Sequence, residues 1–221
     1  SVLPLVPGSS PAVAPPAPAA VAMRRRPVLP AWFAAVQVVL VCGIPTQLFV
    51  AAVLVLGTNL PIMNGDTATI DFFAMMALLD TALVALLIRV FLLLSGETSR
   101  DVFLGVRPSW REGLRGLALV PVLLLAGSGL AFGLRFIAPW THNVAGNPYD
   151  GYMHSPIEAA IFFVVVILAG GVREELQRAF ILHRFEQRLG GARWGLALYT
   201  GIFGLLHVTQ GLDAAIPVAV L

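Results

Sequence analysis

The 221 residues are 58% hydrophobic and only 12% charged, with a mean hydropathy of +0.86. A soluble domain of this size needs far more polar surface, so the composition excludes one and predicts an all-α, polytopic transmembrane helix bundle. The net charge of +2 and pI near 9.2 come from fourteen basic residues, all arginine. They sit at predicted helix ends and form no single patch, which argues against a nucleic-acid partner and leaves membrane lipids as the expected surroundings.

Residues 1–22 are rich in Pro and Ala, carry no charge and show no helical period, so they read as a disordered tail ahead of a multi-pass domain over residues 23–221. No basic stretch precedes that tail, which argues against a signal peptide. Met23-Arg24-Arg25-Arg26 leads into a first span from Ala31 to Gly57, interrupted at Gly43-Ile44-Pro45. Cys42, the single cysteine, lies in that apolar run and reads as an inert buried side chain. Further spans are expected over Phe72 to Leu94, Leu117 to Ala138, Ile157 to Leu182 and Trp194 to His207. A sixth begins near Ala214, and the sequence ends at Leu221, short of the ~20 residues a crossing needs.

The arginines then set an orientation. Arg24 to Arg26, the 95–116 connection and the turn holding Arg184, Arg188 and Arg193 alternate with two connections, 58–71 and 139–156, that carry no Lys or Arg. By the positive-inside rule the N-terminus and the arginine-rich turns face the cytoplasm, and a bacterial plasma membrane is the expected location. The stretch from Gly105 to Gly116, with Trp110 and spaced arginines, reads as an interfacial segment. Gly129-x-x-x-Gly133 fits a close helix contact.

Chemistry is concentrated in the second half. Arg173-Glu174-Glu175-Leu176-Gln177-Arg178 interrupts an apolar helix whose preceding run, Ala159 to Val172, is uncharged. Ionisable groups inside a span are costly and face a bundle interior or a water-filled cavity. Glu174 and Arg178 are four apart on one helical face, and Glu175 points about 100° away. The Glu pair is expected about two turns, roughly 10 Å, from the cytoplasmic end of its span. On the following span Phe203 precedes His207 by one turn. A carboxylate and an imidazole in a low-dielectric pocket suit general-base activation of water or metal binding. Asp80, mid-way along the second span, either hydrogen-bonds a neighbouring helix or lines the same cavity. His142 and His154 read as loop residues, and His183 as a helix-end residue.

These residues resemble the signature of the CPBP intramembrane metalloprotease family, which includes type II CAAX prenyl endopeptidases and the Abi and bacteriocin-processing proteins. That signature is Glu-Glu-x-x-x-Arg on one span, Phe-x-x-x-His on the next and a later His-x-x-x-Asn. Glu174-Glu175 and Phe203-x-x-x-His207 match in type and order, over a core of about residues 157–221. Arg178 falls one place early, and a third motif is absent up to Leu221.

The resemblance implies hydrolysis of a peptide bond in a membrane-associated or lipidated substrate. Glu174 would activate water with help from His207, while Glu175 and Arg178 orient and neutralise the pair. It also implies either a zinc ion, with Glu174 and His207 among its ligands, or a metal-independent mechanism, and the residues leave that choice open. Two other readings stay open as well: a non-catalytic membrane scaffold or immunity protein of the same fold, and a small proton or cation transporter using Glu174, Glu175 and Asp80. No internal repeat supports the transporter.

Overall fold

The computed structural model describes residues 29–64, 67–104, 110–146 and 149–221. The expected tail, the Arg24 to Arg26 cluster and Arg107 lie outside those residues. Apart from a two-residue antiparallel ladder pairing Met63 with Ala68 and Asn64 with Thr67, the regular structure is helical.

The first expected span is two helices, α1 (Ala31–Val41) and α2 (Ile44–Gly57), bent by 47° at the Gly-Ile-Pro break. Gly43 adopts φ +96°, the left-handed region that suits glycine, and ends α1. Pro45 enters the first turn of α2, where its missing N–H costs nothing locally. The carbonyls at the end of α1 nevertheless have no helical donors.

Next come α3 (Ile70–Leu94), the short α4 (Ser99–Phe103) and α5 (Trp110–Ile137). Of the stretch expected at the interface, residues 105–109 lie outside the described residues, and residues 110–116 form the first two turns of α5. Their charges are accommodated on its exposed surface, where Arg115 donates to Glu112 at 2.9 Å. Nothing lies within 4 Å of where a Cβ would stand on Gly129 or Gly133, so the expected close contact there is not made among the described residues.

The fourth span is one 33-residue helical rod, Pro156–Arg188. It comprises α6 (Pro156–Val165), a π-helical stretch over Val166–Arg173, and α7 (Glu174–Arg188). Ser155 caps its start by accepting from the Glu158 N–H at 3.2 Å, and the Glu158 carboxylate accepts from the His154 N–H at 2.9 Å, close to a capping box. The rod runs six residues beyond the expected Leu182. Fourteen residues therefore separate Glu174 from its end, about 21 Å rather than 10 Å.

Two shorter helices follow, α8 (Ala192–Leu206) and α9 (Leu212–Val220). Among the described residues three helices, α3, α5 and the 156–188 rod, are long and apolar enough to cross a membrane, and the bent α1–α2 pair makes a fourth if it crosses as one broken span. The fifth expected span falls short of that length: α8 has 15 residues, about 22 Å, against a hydrocarbon core of about 30 Å. Outward-facing apolar side chains are abundant, and α5 buries none of its residues, a surface suited to lipid.

The apolar core joins Val41, Val84, Ile88, Phe91, Leu92 and Phe180 from α1, α3 and α7. Beside it lies a buried polar node. Arg184, fully buried, donates to Glu97 at 2.5 Å, Gln37 at 2.6 Å and Ser95 at 3.2 Å, with its guanidinium over the Phe180 ring. His183 Nε2 lies 2.7 Å from Glu97, and Gln187 donates to the same carboxylate. Glu97 follows α3, outside the spans. Burial alone would raise its pKa, but the hydrogen bonds from His183, Arg184 and Gln187 and the Arg184 charge outweigh burial and hold it below its ordinary value of 4.5. At the other end of the bundle, Asp213 accepts from Arg135 at 2.5 Å and lies 3.0 Å from His142 Nδ1, so His142 is tied to α9 rather than a free loop residue.

Candidate active site

A break in one helix and a widened turn in another shape the site. The end of α1 leaves the Val41 carbonyl without a helical donor, and Gln177 of α7 fills the place, its Nε2 donating at 2.6 Å. That bond draws α7 against the break and opens a cavity of about 310 Å³ bounded by Cys42, Gln47, Gln177, Tyr199, Glu174 and His207. Cys42 is thus half-buried and lines the cavity rather than being fully buried, with its thiol donating to the Val39 carbonyl at 3.0 Å.

Immediately before α7 the backbone is π-helical. Such widened turns are rare and cluster at functional sites because they re-aim the side chains that follow. Here the stretch contains Gly170-Gly171 and ends at Arg173. Arg173 reaches α3 and donates to the carboxylate of Asp80, which is fully buried. Both structural possibilities for Asp80 hold: it hydrogen-bonds a neighbouring helix and lines a cavity. Glu174 turns inward, its carboxylate 3.9 Å from Arg173 Nη2, with its side chain one-fifth exposed.

The second helix of the site is α8, where Tyr199, Phe203 and His207 stack at four-residue spacing, with ring centroids 5.6 and 4.6 Å apart. His207 Nδ1 is 2.7 Å from the Phe203 carbonyl. A carbonyl only accepts, so Nδ1 carries the proton, and Nε2 of the neutral ring is the acceptor. Gly204 lets α9 close against this helix: a Cβ there would stand 2.7 Å from the Ala219 Cβ.

A second cavity, about 1300 Å³, lies among α3, α5 and the π-helical stretch, with Asp80, Glu175 and apolar residues such as Val120, Leu124 and Val165 on its walls. Glu174, His207, Arg173, Gln47, Tyr149 and Gln210 border both spaces. The predicted carboxylate and imidazole therefore line the same two cavities.

The other two predicted residues are placed differently. Glu175 is two-thirds exposed and accepts from Arg178 at 2.5 Å, an i,i+3 pair, and Arg178 lies 5.4 Å from the centre of the Tyr199 ring. The cation that the structure sets nearest Glu174 is Arg173, not Arg178, because the Arg178 side chain is drawn to Glu175 and Tyr199. Gln47, Gln210 and Tyr149 join the site without having been singled out in the sequence. Gln47 was discernible there as an uncharged polar residue inside an apolar run, whereas Gln210 and Tyr149 sit between helices with no such signal.

Among the described residues no three His, Cys, Asp or Glu side chains are grouped to hold a metal. Glu174 and His207 offer two donors where catalytic zinc commonly uses three protein ligands, so this donor set does not fit zinc unaided.

Residues 156–221, from the start of α6 to the end of α9, match the family model described as Type II CAAX prenyl endopeptidase Rce1-like. No curated protein and no solved structure matches the chain.

Proposed function

We propose that this protein is an intramembrane endopeptidase that hydrolyses a peptide bond in a membrane-associated or lipidated substrate. The observation that carries the proposal is the placement of Glu174 and His207, from adjacent helices, on the walls of the same two cavities. The Rce1-like match over the same segment supports a CAAX-type protease.

In the proposed reaction the Glu174 carboxylate takes a proton from water, whose oxygen attacks the scissile carbonyl. His207 Nε2 accepts the water's second hydrogen bond and orients it. The tetrahedral intermediate expels the amine, which receives the proton held by Glu174, and a free carboxylate and amine result. Glu175 and Arg178 steady the helix turn that carries Glu174. The apolar-walled larger cavity suits a hydrophobic substrate segment approaching from the bilayer, and the arginine-rich end of the bundle is taken to face the cytoplasm.

The test uses the purified protein in liposomes with a prenylated CAAX peptide and the same peptide without its lipid, the products being read by mass spectrometry. The wild type is expected to release a C-terminal fragment, and Glu174→Gln to lose about 10²–10⁴-fold in rate, the usual worth of a general base. Undiminished cleavage by Glu174→Gln would remove the proposal, and a cellular effect that persists in that variant would favour the scaffold.

A further inference from the structure

Arg173 and Asp80 form an ion pair across α3 and the rod, with Asp80 fully buried and Arg173 mostly so. A pair of this kind within a span is a poor stabiliser, because desolvating both charges cancels much of their attraction. A structural tie would also satisfy all its polar atoms. This one leaves Asp80 Oδ1 and Arg173 Nε without partners among the described residues. What the pair does achieve is orientation: Nη1 is held by Asp80, and Nη2 of the same planar guanidinium is left 3.9 Å from Glu174 Oε1.

We propose that Asp80 is a positioning residue for the reaction, fixing the Arg173 guanidinium beside Glu174 so that a cation faces the carboxylate and the charge that develops around it. The inference rests on the proposed endopeptidase reading. Developing charge is best stabilised by dipoles and cations fixed in advance in a dry site, and the rigid fork of an arginine pinned at one edge meets that need. Asp80 touches neither water nor substrate in this role and acts through Arg173.

Removing Asp80 alone leaves a buried, unpaired arginine that can by itself prevent folding, so two double variants carry the test. Asp80→Leu/Arg173→Met replaces the pair by apolar side chains, which such sites commonly tolerate. Asp80→Arg/Arg173→Asp keeps an ion pair but sets an anion next to Glu174. Both are compared with wild type and Glu174→Gln for thermal unfolding in detergent and for kcat and KM on the prenylated CAAX peptide.

The expected result is near-wild-type unfolding of both double variants, with kcat lowered about a hundredfold and KM unchanged, the mark of an interaction made in the transition state. Wild-type kcat in either double variant, with Glu174→Gln inactive, would overturn the role of Asp80 and leave the endopeptidase reading intact. Failure of both double variants to fold would also overturn it, since the pair would then be a structural tie. A fully active Glu174→Gln would overturn the endopeptidase reading and this inference with it.

Discussion

Single side chains in this protein do their work where charge meets a dry interior. Glu97 is the clearest case outside the site: three donors from α7 converge on one buried carboxylate. Replacing it by Ala leaves the Arg184 guanidinium buried and unpaired, at an expected cost of about 3–5 kcal/mol. The pH dependence has a definite sign. The folded Glu97 pKa is depressed, so its stabilisation is fully present above the ordinary value of 4.5 and is lost as pH falls through the lower folded value. The difference in unfolding temperature between wild type and Glu97→Gln in detergent should therefore be constant near neutrality and shrink only below about pH 4.5. A difference that instead vanished between pH 6 and 8 would contradict this assignment to Glu97.

Among the elements, the break between α1 and α2 and the π-helical turn before α7 shape the cavity together. The Gln177 bond to the Val41 carbonyl joins them, and Gln177→Leu should cost about 1–3 kcal/mol by orphaning that carbonyl. Because Gln177 sits one turn from Glu174, the same variant should raise KM or lower kcat in the hydrolysis assay. Unchanged stability would mean the carbonyl finds water instead. Gly43-Ile44-Pro45 was legible in the sequence as an interruption, since proline and left-handed glycine punctuate helices wherever they occur. The π-helical stretch was not legible, because Val166 to Arg173 has the composition of any apolar helix and its widening follows from packing. Glu174 and Arg178 do share a regular turn of α7, as the four-residue spacing implies, but Arg178 is drawn to Glu175 and the Tyr199 ring, and Arg173 stands beside Glu174 instead.

For the whole molecule, the helical membrane-protein class followed from composition alone, and the boundaries of α3 were placed within two residues by its apolar run. Five crossings are not all matched by helices of spanning length, because α8, apolar after Arg193, has only 15 residues. Long-range polar pairs such as Asp80 with Arg173 and Glu97 with Arg184 lie about ninety positions apart, and nothing local in the sequence announces them. Contacts at the two ends of the bundle agree with the arginine pattern. Residues 29–31, 186–188 and 190–191 line one shallow pocket. At the opposite end, Phe73 packs on Tyr149, Tyr152 and Phe162.

With Cys42 replaced by Ser, a cysteine at Glu186 should react with an impermeant maleimide only from the cytoplasmic side, and one at Gly146 only from the other. Labelling of both from one side would overturn a crossing by the 156–188 rod. The most direct measurement of the central claim compares kcat for wild type, Glu174→Gln and Glu175→Gln on the prenylated CAAX peptide in liposomes. The cavity-facing Glu174 should be needed, with a loss of about 10²–10⁴-fold on substitution, while exposed Glu175 should cost far less. Equal losses, or a larger one at Glu175, would contradict the assignment of Glu174 as the base.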